Sequence, residues 1–196
     1  MPPKYLRVVF SPGVNPDKWF GRFDDRIKGW RAAGAQADDP LRWIDSGKAD
    51  VAIVRMGRDG VDKNTHHEVR LYTETKGVAA PKEHPIKVMD AIDLAELGDE
   101  TVMYCTPEDG LDNIASLREG LEVVAANVGI VLAPRPLLRN INQSGVVHRE
   151  LIGDTSTIGE TRIALVWRIS RDDDIVQDFV GICRGRKAGS SRQSRR

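Results

Sequence analysis

Only two cysteines, Cys105 and Cys183, occur in 196 residues. That excludes a disulfide-stapled secreted scaffold and fits a reducing compartment. No apolar run approaches the roughly 20 residues that span a bilayer. Nor does a leader-like apolar core follow the N-terminus, where Met1-Pro2-Pro3-Lys4-Tyr5 passes directly into the alternation Leu6, Val8, Phe10. A cytoplasmic protein without membrane attachment is therefore expected. Excess charge is missing as well: 29 basic residues balance 29 acidic ones, so no global field draws the chain onto nucleic acid. Histidine is scarce. His66, His67, His84 and His148 lack ligand spacing, and two adjacent histidines on a strand face opposite ways, so no metal site is expected. Glycine-rich phosphate loops and a Gly-x-Ser-x-Gly elbow are absent too. Neither a cofactor nor an enzymatic activity is expected.

What is present is 40% hydrophobic residues, enough to build a core for one domain or two small lobes. Residues 5–10 alternate with period two and predict a strand. Ser11-Pro12-Gly13-Val14 turns the chain, and Asn15-Pro16-Asp17 starts a helix running to about Ile27, because Asn caps free amides and Pro presets the backbone. Residues 29–37 predict a weak strand. Asp39-Pro40-Leu41 repeats the cap-and-proline start, Gly47 stops that helix, and residues 49–54 predict a buried strand. Extended runs at 67–72 and 77–80 follow, then a turn at 81–85, a short helix at 90–98 and a strand at 101–104. Ser116 and Glu119 have capping-box spacing, opening an amphipathic helix that stops at Gly129. Residues 130–134 and 161–167 predict strands, and 172–183 a last helix. From Arg184 onward the chain is mostly Gly, Ser and Arg, and residues 185–196 predict a disordered basic tail.

Alternating strands and helices predict an α/β protein with mostly parallel sheets, since parallel strands need long connections. Two lobes are expected, with residues 1–73 and 162–184 in the first and 74–161 in the second.

Four stretches together resemble the effector-binding (substrate-binding) domain of LysR-type transcriptional regulators. They are residues 41–55 (LRWIDSGKADVAIVR), 78–85 (VAAPKEHP), 123–134 (VVAANVGIVLAP) and 163–186 (IALVWRISRDDDIVQDFVGICRGR). Order and spacing match too. The ending, Gly-Arg followed by Ser-Ser-Arg, is similar to stand-alone actinobacterial domains of this kind. The resemblance implies a two-lobed type 2 periplasmic-binding-protein-like fold, a small-molecule effector and a homodimer. Three departures stand out. The sequence begins at the first effector-domain strand with no helix-turn-helix, so sequence-specific DNA binding is not expected. Its second strand is less apolar than usual, and the usual helix between the strand near Tyr104 and the helix at Leu117 is missing, implying an abbreviated second lobe. An accessory protein pairing with full-length LysR regulators is the alternative function, and an enzyme on the same fold a further one.

The resemblance implies a ligand between the lobes, held at helix N-termini, where unpaired N–H groups and the helix dipole attract anions. The candidate binding residues are accordingly Ser11, Gly13 and Val14 after the first strand, Asp39 before the second helix and Thr106 after the second-lobe strand. Arg55 joins them, because a guanidinium can pair bidentately with a carboxylate. An Asp before Pro is also a helix cap, and Arg55 could equally serve a structural ion pair. An anion or carboxylate is the expected ligand class. Buried free thiols are the expected state of both cysteines.

Overall fold

A computed structural model describes residues 2–141 and 143–185. The chain forms β1 (Lys4–Phe10), α1 (Asp17–Arg26), β2 (Trp30–Gln36), α2 (Pro40–Asp45), β3 (Val51–Met56), β4 (His66–Thr73), β5 (Lys76–Pro81), β6 (Ala91–Asp93), β7 (Val102–Cys105), α3 (Ile114–Ala125), β8 (Ile130–Pro134), α4 (Arg135–Ile141), β9 (Val146–Ile152), β10 (Arg162–Arg168) and α5 (Asp174–Cys183). These strands make two five-stranded sheets, ordered β2-β1-β3-β10-β4 and β6-β9-β5-β8-β7. The expected α/β, two-lobed architecture is what the chain adopts.

Period-two alternation explains how the first sheet is covered on both sides. Leu6, Val8, Val51, Ile53, Ile163 and Leu165 share one face with Phe23 of α1 and Phe179 of α5. Val9, Ala52, Val54, Ala164 and Val166 share the other with Ile44 of α2. Each fully buried Leu, Ile, Val or Phe contributes about 1.5–3 kcal/mol, so these two layers hold the lobe together. The second sheet repeats the plan. Val78, Ala80, Ile130 and Leu132 pack on one side with Ile92 and Leu151, while Ala79, Val131 and Ala133 meet Leu117, Leu121 and Val124 of α3 and Leu137 and Leu138 of α4 on the other.

The sheets are less parallel than expected. β1 pairs in parallel with β2 and β3, but β10 is antiparallel to both β3 and β4. In the second sheet β6–β9 and β7–β8 are parallel, and β5 is antiparallel to β8 and β9. The antiparallel pairs involve the strands next to the two passages between the sheets, where the chain arrives without a crossover helix.

Other departures are local. The helix expected at 90–98 is β6 followed by a 3-10 turn at Leu94–Leu97, capped by Asp93, which accepts from the Ala95 amide at 2.9 Å. The expected capping box at Ser116 lies inside α3. The actual cap is Asn113, whose Oδ1 accepts from Ser116 N at 3.0 Å. Helix α4 and strand β9 are additions to the expected elements. Residues 106–113 run as a loop between β7 and α3, without the extra helix, as expected. Yet the second sheet matches the first in strand number, so the lobe is not abbreviated there. The tail at 186–196 lies outside the described residues.

Candidate functional site

The loop after β1 is shaped by hydrogen bonds of its own. Ser11 N donates to Ile53 O of β3 at 3.0 Å, and Val14 N closes a turn on Ser11 O at 3.2 Å. Ser11 is buried, and its hydroxyl accepts from Arg55 N at 2.9 Å. Val14 belongs to the apolar core. Of the loop amides expected to be free donors, that of Val14 is therefore already used. Gly13 has φ +86°, and a Cβ there would come within 2.6 Å of Pro136 O at the start of α4. Its lack of a side chain lets the first lobe approach the second.

Asp39 caps α2, accepting from Arg42 N at 3.2 Å, with Pro40 in the first turn. Neighbouring Asp38 reaches across to α3, where Arg118 grips it with bonds of 2.6 and 3.0 Å. Hydrogen bonding from Arg118 holds the Asp38 carboxyl below the usual carboxylate range. This ion pair is half exposed and adds little stability, but it ties the lobes at the mouth of the cleft.

Arg55 ends its strand in a bidentate pair with Glu74 at 2.6 and 2.8 Å. The two side chains are 5% and 1% exposed. Glu74 also accepts from Thr161 Oγ1 at 3.1 Å. Of the two uses anticipated for Arg55, the structure displays the ion pair, with a glutamate from the passage between the lobes.

Thr106 is fully buried and serves another residue. Its hydroxyl donates to Asp112 Oδ1 at 2.8 Å, and Tyr104 donates to the same oxygen at 2.9 Å. The tyrosine oxygen in turn accepts from Asn113 N at 3.0 Å. Asp112 Oδ2 is buried and has no hydrogen-bond partner. Burial raises the Asp112 pKa against the lowering effect of the two hydroxyls and Arg55. Burial, with Asp112 nearby, raises those of Tyr104 and Cys105. Burial alone raises the Cys183 thiol. Both cysteines are free thiols, as expected, but partly rather than fully buried.

Two clefts result. One, of about 130 Å³, has Ser11, Pro12, Asp38, Asp39, Val54 and Arg55 on the first-lobe side, and Leu111, Asp112 and Ile114 from the β7–α3 segment on the other. The second, of about 460 Å³, lies between the β1–α1 loop and α4 and includes Gly13, Val14, Asn15, Pro136 and Arg139. Thus Ser11, Asp39 and Arg55 come together, Gly13 and Val14 face the other cleft, and Thr106 stands behind Asp112 rather than on either wall. Asp112 and Glu74 escaped the sequence reading, because an Asp in a polar loop and a Glu in a polar connection carry no signal of burial. Among the described residues no group of three or more His, Cys, Asp or Glu side chains could hold a metal. No helix of the described chain is long and apolar enough to cross a membrane.

No protein-family model matches the chain, and no curated protein matches it in sequence. Solved structures do match in fold. The BenM effector-binding domain with its effector benzoate is 16% identical with a TM-score of 0.66, covering 94% of this chain and 92% of that one. The reduced OxyR regulatory domain from Pseudomonas aeruginosa is 15% identical with a TM-score of 0.60, covering 94% and 99%. Full-length CbnR in complex with its target DNA is 13% identical with a TM-score of 0.63, covering 92% of this chain and 70% of that one. With two five-stranded sheets and a cleft between them, the chain has the fold of the effector-binding domains of LysR-type regulators.

Proposed function

We propose that the protein is a small-molecule sensor, binding an effector between its lobes and converting occupancy into a change of lobe or dimer geometry. The observation that carries this reading is the cleft walled by both lobes, with Ser11, Asp39 and Arg55 on one side and Asp112 on the other. A ligand touching both walls binds the closed arrangement better than the open one, which is the differential affinity that shifts a conformational equilibrium. The BenM domain, of similar fold, holds its effector benzoate. A cytoplasmic homodimer is part of the proposal, as are lobe boundaries near Thr73 and Arg162, where β4 ends and β10 begins.

Thermal-shift screening against small carboxylates, amino acids, aromatic acids and amines tests it. A ligand at one hundred times its Kd adds about 2.7 kcal/mol, a rise of roughly 5–10 °C at 2–4 °C per kcal/mol for a chain of this size. Ser11→Ala should weaken a binder by about 0.5–1.5 kcal/mol, or about 1.5–3 if the contacted group is charged. A panel without any binder, or one unaffected by Ser11→Ala and mapping outside the cleft, rejects the proposal.

A further inference from the structure

The first lobe carries a cavity of about 170 Å³ at the end of its sheet remote from the cleft, between β1, the end of α2 and the β10–α5 junction. Asp50, in its wall, precedes β3, whereas Arg55 of the cleft stands near that strand's other end, about 16 Å along at roughly 3.3 Å per residue. Three guanidiniums from separate parts of the chain line it: Arg7 in β1, Arg168 at the end of β10 and Arg171 in the turn before α5. Asp50 is the carboxylate of the lining, and both its oxygens are filled. Oδ1 accepts from Arg7 Nη2 at 2.7 Å and Arg171 Nε at 3.1 Å, and Oδ2 from Arg7 N at 2.9 Å and Nε at 3.1 Å. Each guanidinium has five N–H groups. Arg7 spends three, on Asp50 and on Gly47 O, Arg171 two, on Asp50 and Asp173, and Arg168 one, on Asp45 O at 3.3 Å. The Ser170 hydroxyl, in the same wall, has no acceptor among the described residues. The lining therefore offers many donors and no free carboxylate oxygen.

We infer that this cavity is an oxyanion site, taking a phosphate group, free or as the end of a small phosphomonoester, through Arg7, Arg168, Arg171 and Ser170. Charge is short in the same sense as hydrogen bonding. Asp50 and Asp173 face three cations, because the Asp45 carboxylate is turned to His66 at 2.9 Å. Arg7 and Arg171 share one oxygen of Asp50, which brings two like charges together, and an anion beside them relieves that repulsion. Guanidinium forks match the oxygens of phosphate in geometry as well as charge. The buried Asp50 side chain, 4% exposed, holds two of the three forks in place before a ligand arrives, which lowers the ordering cost of binding. A volume of about 170 Å³ equals five to six waters at roughly 30 Å³ each, room for a phosphate with a short carbon chain. The site stands apart from the cleft, so it neither needs nor tests the sensor reading.

The test is an amide chemical-shift titration of the full chain with inorganic phosphate and, separately, with glycerol 3-phosphate, each matched by sodium chloride at equal ionic strength. Both phosphates should give saturable shifts at Gly47, Ala49, Ser170 and Arg171, with Ser11 and Asp112 unmoved and chloride without effect. Tighter binding of glycerol 3-phosphate assigns the site to a phosphomonoester, and tighter binding of inorganic phosphate assigns it to the free ion. Arg168→Gln, which leaves every bond to Asp50 in place, should weaken binding about 10- to 100-fold, the equivalent of one charge-assisted hydrogen bond, with an unchanged melting temperature. Ser170→Ala should weaken it several-fold, so the inference does not depend on one variant. Shifts that chloride reproduces, saturation at the cleft instead, or no saturable shift with either phosphate would overturn the assignment. So would an Arg168→Gln variant that binds phosphate as tightly as the parent.

Discussion

Buried Asp50 and half-buried Asp112 show how the same side chain is either saturated or left short of a donor. Asp50 has 5% of its surface exposed and is saturated: Arg7 contributes bonds of 2.7 and 3.1 Å and its backbone N–H one of 2.9 Å, and Arg171 adds one at 3.1 Å. Burial pushes its pKa up, but the bonds from Arg7 and Arg171 together outweigh it and the net shift is downward. A carboxyl held below its unfolded value of about 3.8 contributes stability that is present above that pH and disappears as pH falls through the folded value. Asp50→Asn should therefore cost about 1–3 kcal/mol at neutral pH and flatten the acid limb of a chemical-denaturation profile below about pH 4. Asp112 has the opposite sign. Its raised pKa means that the folded state binds a proton more tightly, so this group favours folding in acid and that contribution is lost as pH rises through its folded value. The pH profile of Asp112→Asn stability should be flatter on that side. Arg55 was legible in the sequence because a cation closing a buried strand needs a partner. Asp112 was not, because its burial arises only when a polar loop folds back over Tyr104 and Thr106.

At the scale of elements, legibility followed the strength of the apolar pattern. β1, β3, β8 and β10 alternate or run apolar because both faces of their sheets are covered, and the sequence outlined them to within a residue or two. β9 was missed. Its central His148, Arg149 and Glu150 are half-buried polar groups on a strand between β5 and β6, and only register with β5 makes it extended. α4 was hidden by Pro136, which reads as a breaker but stands in the helix's first turn, where no intrahelical amide bond is needed. The α1–α5 contact is aromatic: Phe179 meets Phe23 edge-on at 5.6 Å and Phe20 in a tilted pair at 6.1 Å between ring centroids. Phe179 is completely buried, so Phe179→Ala should lower stability by about 3–5 kcal/mol, measured by urea unfolding with an unchanged slope. The same change on exposed Tyr72 should stay within about 0.5 kcal/mol.

For the molecule as a whole, the sheets communicate through a small number of polar contacts. Asp38–Arg118 and Gln36–Asn140 cross one side of the interface, and Arg58 N donates to Asp109 O at 2.8 Å on another. Gly57 sits so close to Asp109 that a Cβ would meet its carbonyl oxygen at 2.0 Å, so the segments touch backbone to backbone. Removing Arg118 should change stability by less than about 1 kcal/mol while shifting the lobes toward a more open distribution, visible as a larger radius of gyration in solution scattering. An unchanged radius would show that the ion pair does not hold the cleft. Glu74→Gln is a harsher change, because it strands Arg55 as an unpaired buried cation, and should cost about 3–5 kcal/mol.

The place of that glutamate in the chain has a mechanical meaning. Glu74 lies on the outward passage from β4 to β5 and Thr161 on the return from β9 to β10. They are bonded twice, Glu74 N to Thr161 O at 3.1 Å and Thr161 Oγ1 to Glu74 Oε2 at 3.1 Å, with Arg55 locked onto the same carboxylate. Two separate tethers would let one half of the molecule both fold toward and swivel against the other. Fastened side by side and riveted to β3, they act as a single pin, leaving bending about one axis soft and torsion stiff. On the sensor reading proposed above, closure at the cleft mouth would then travel outward as one reproducible swing.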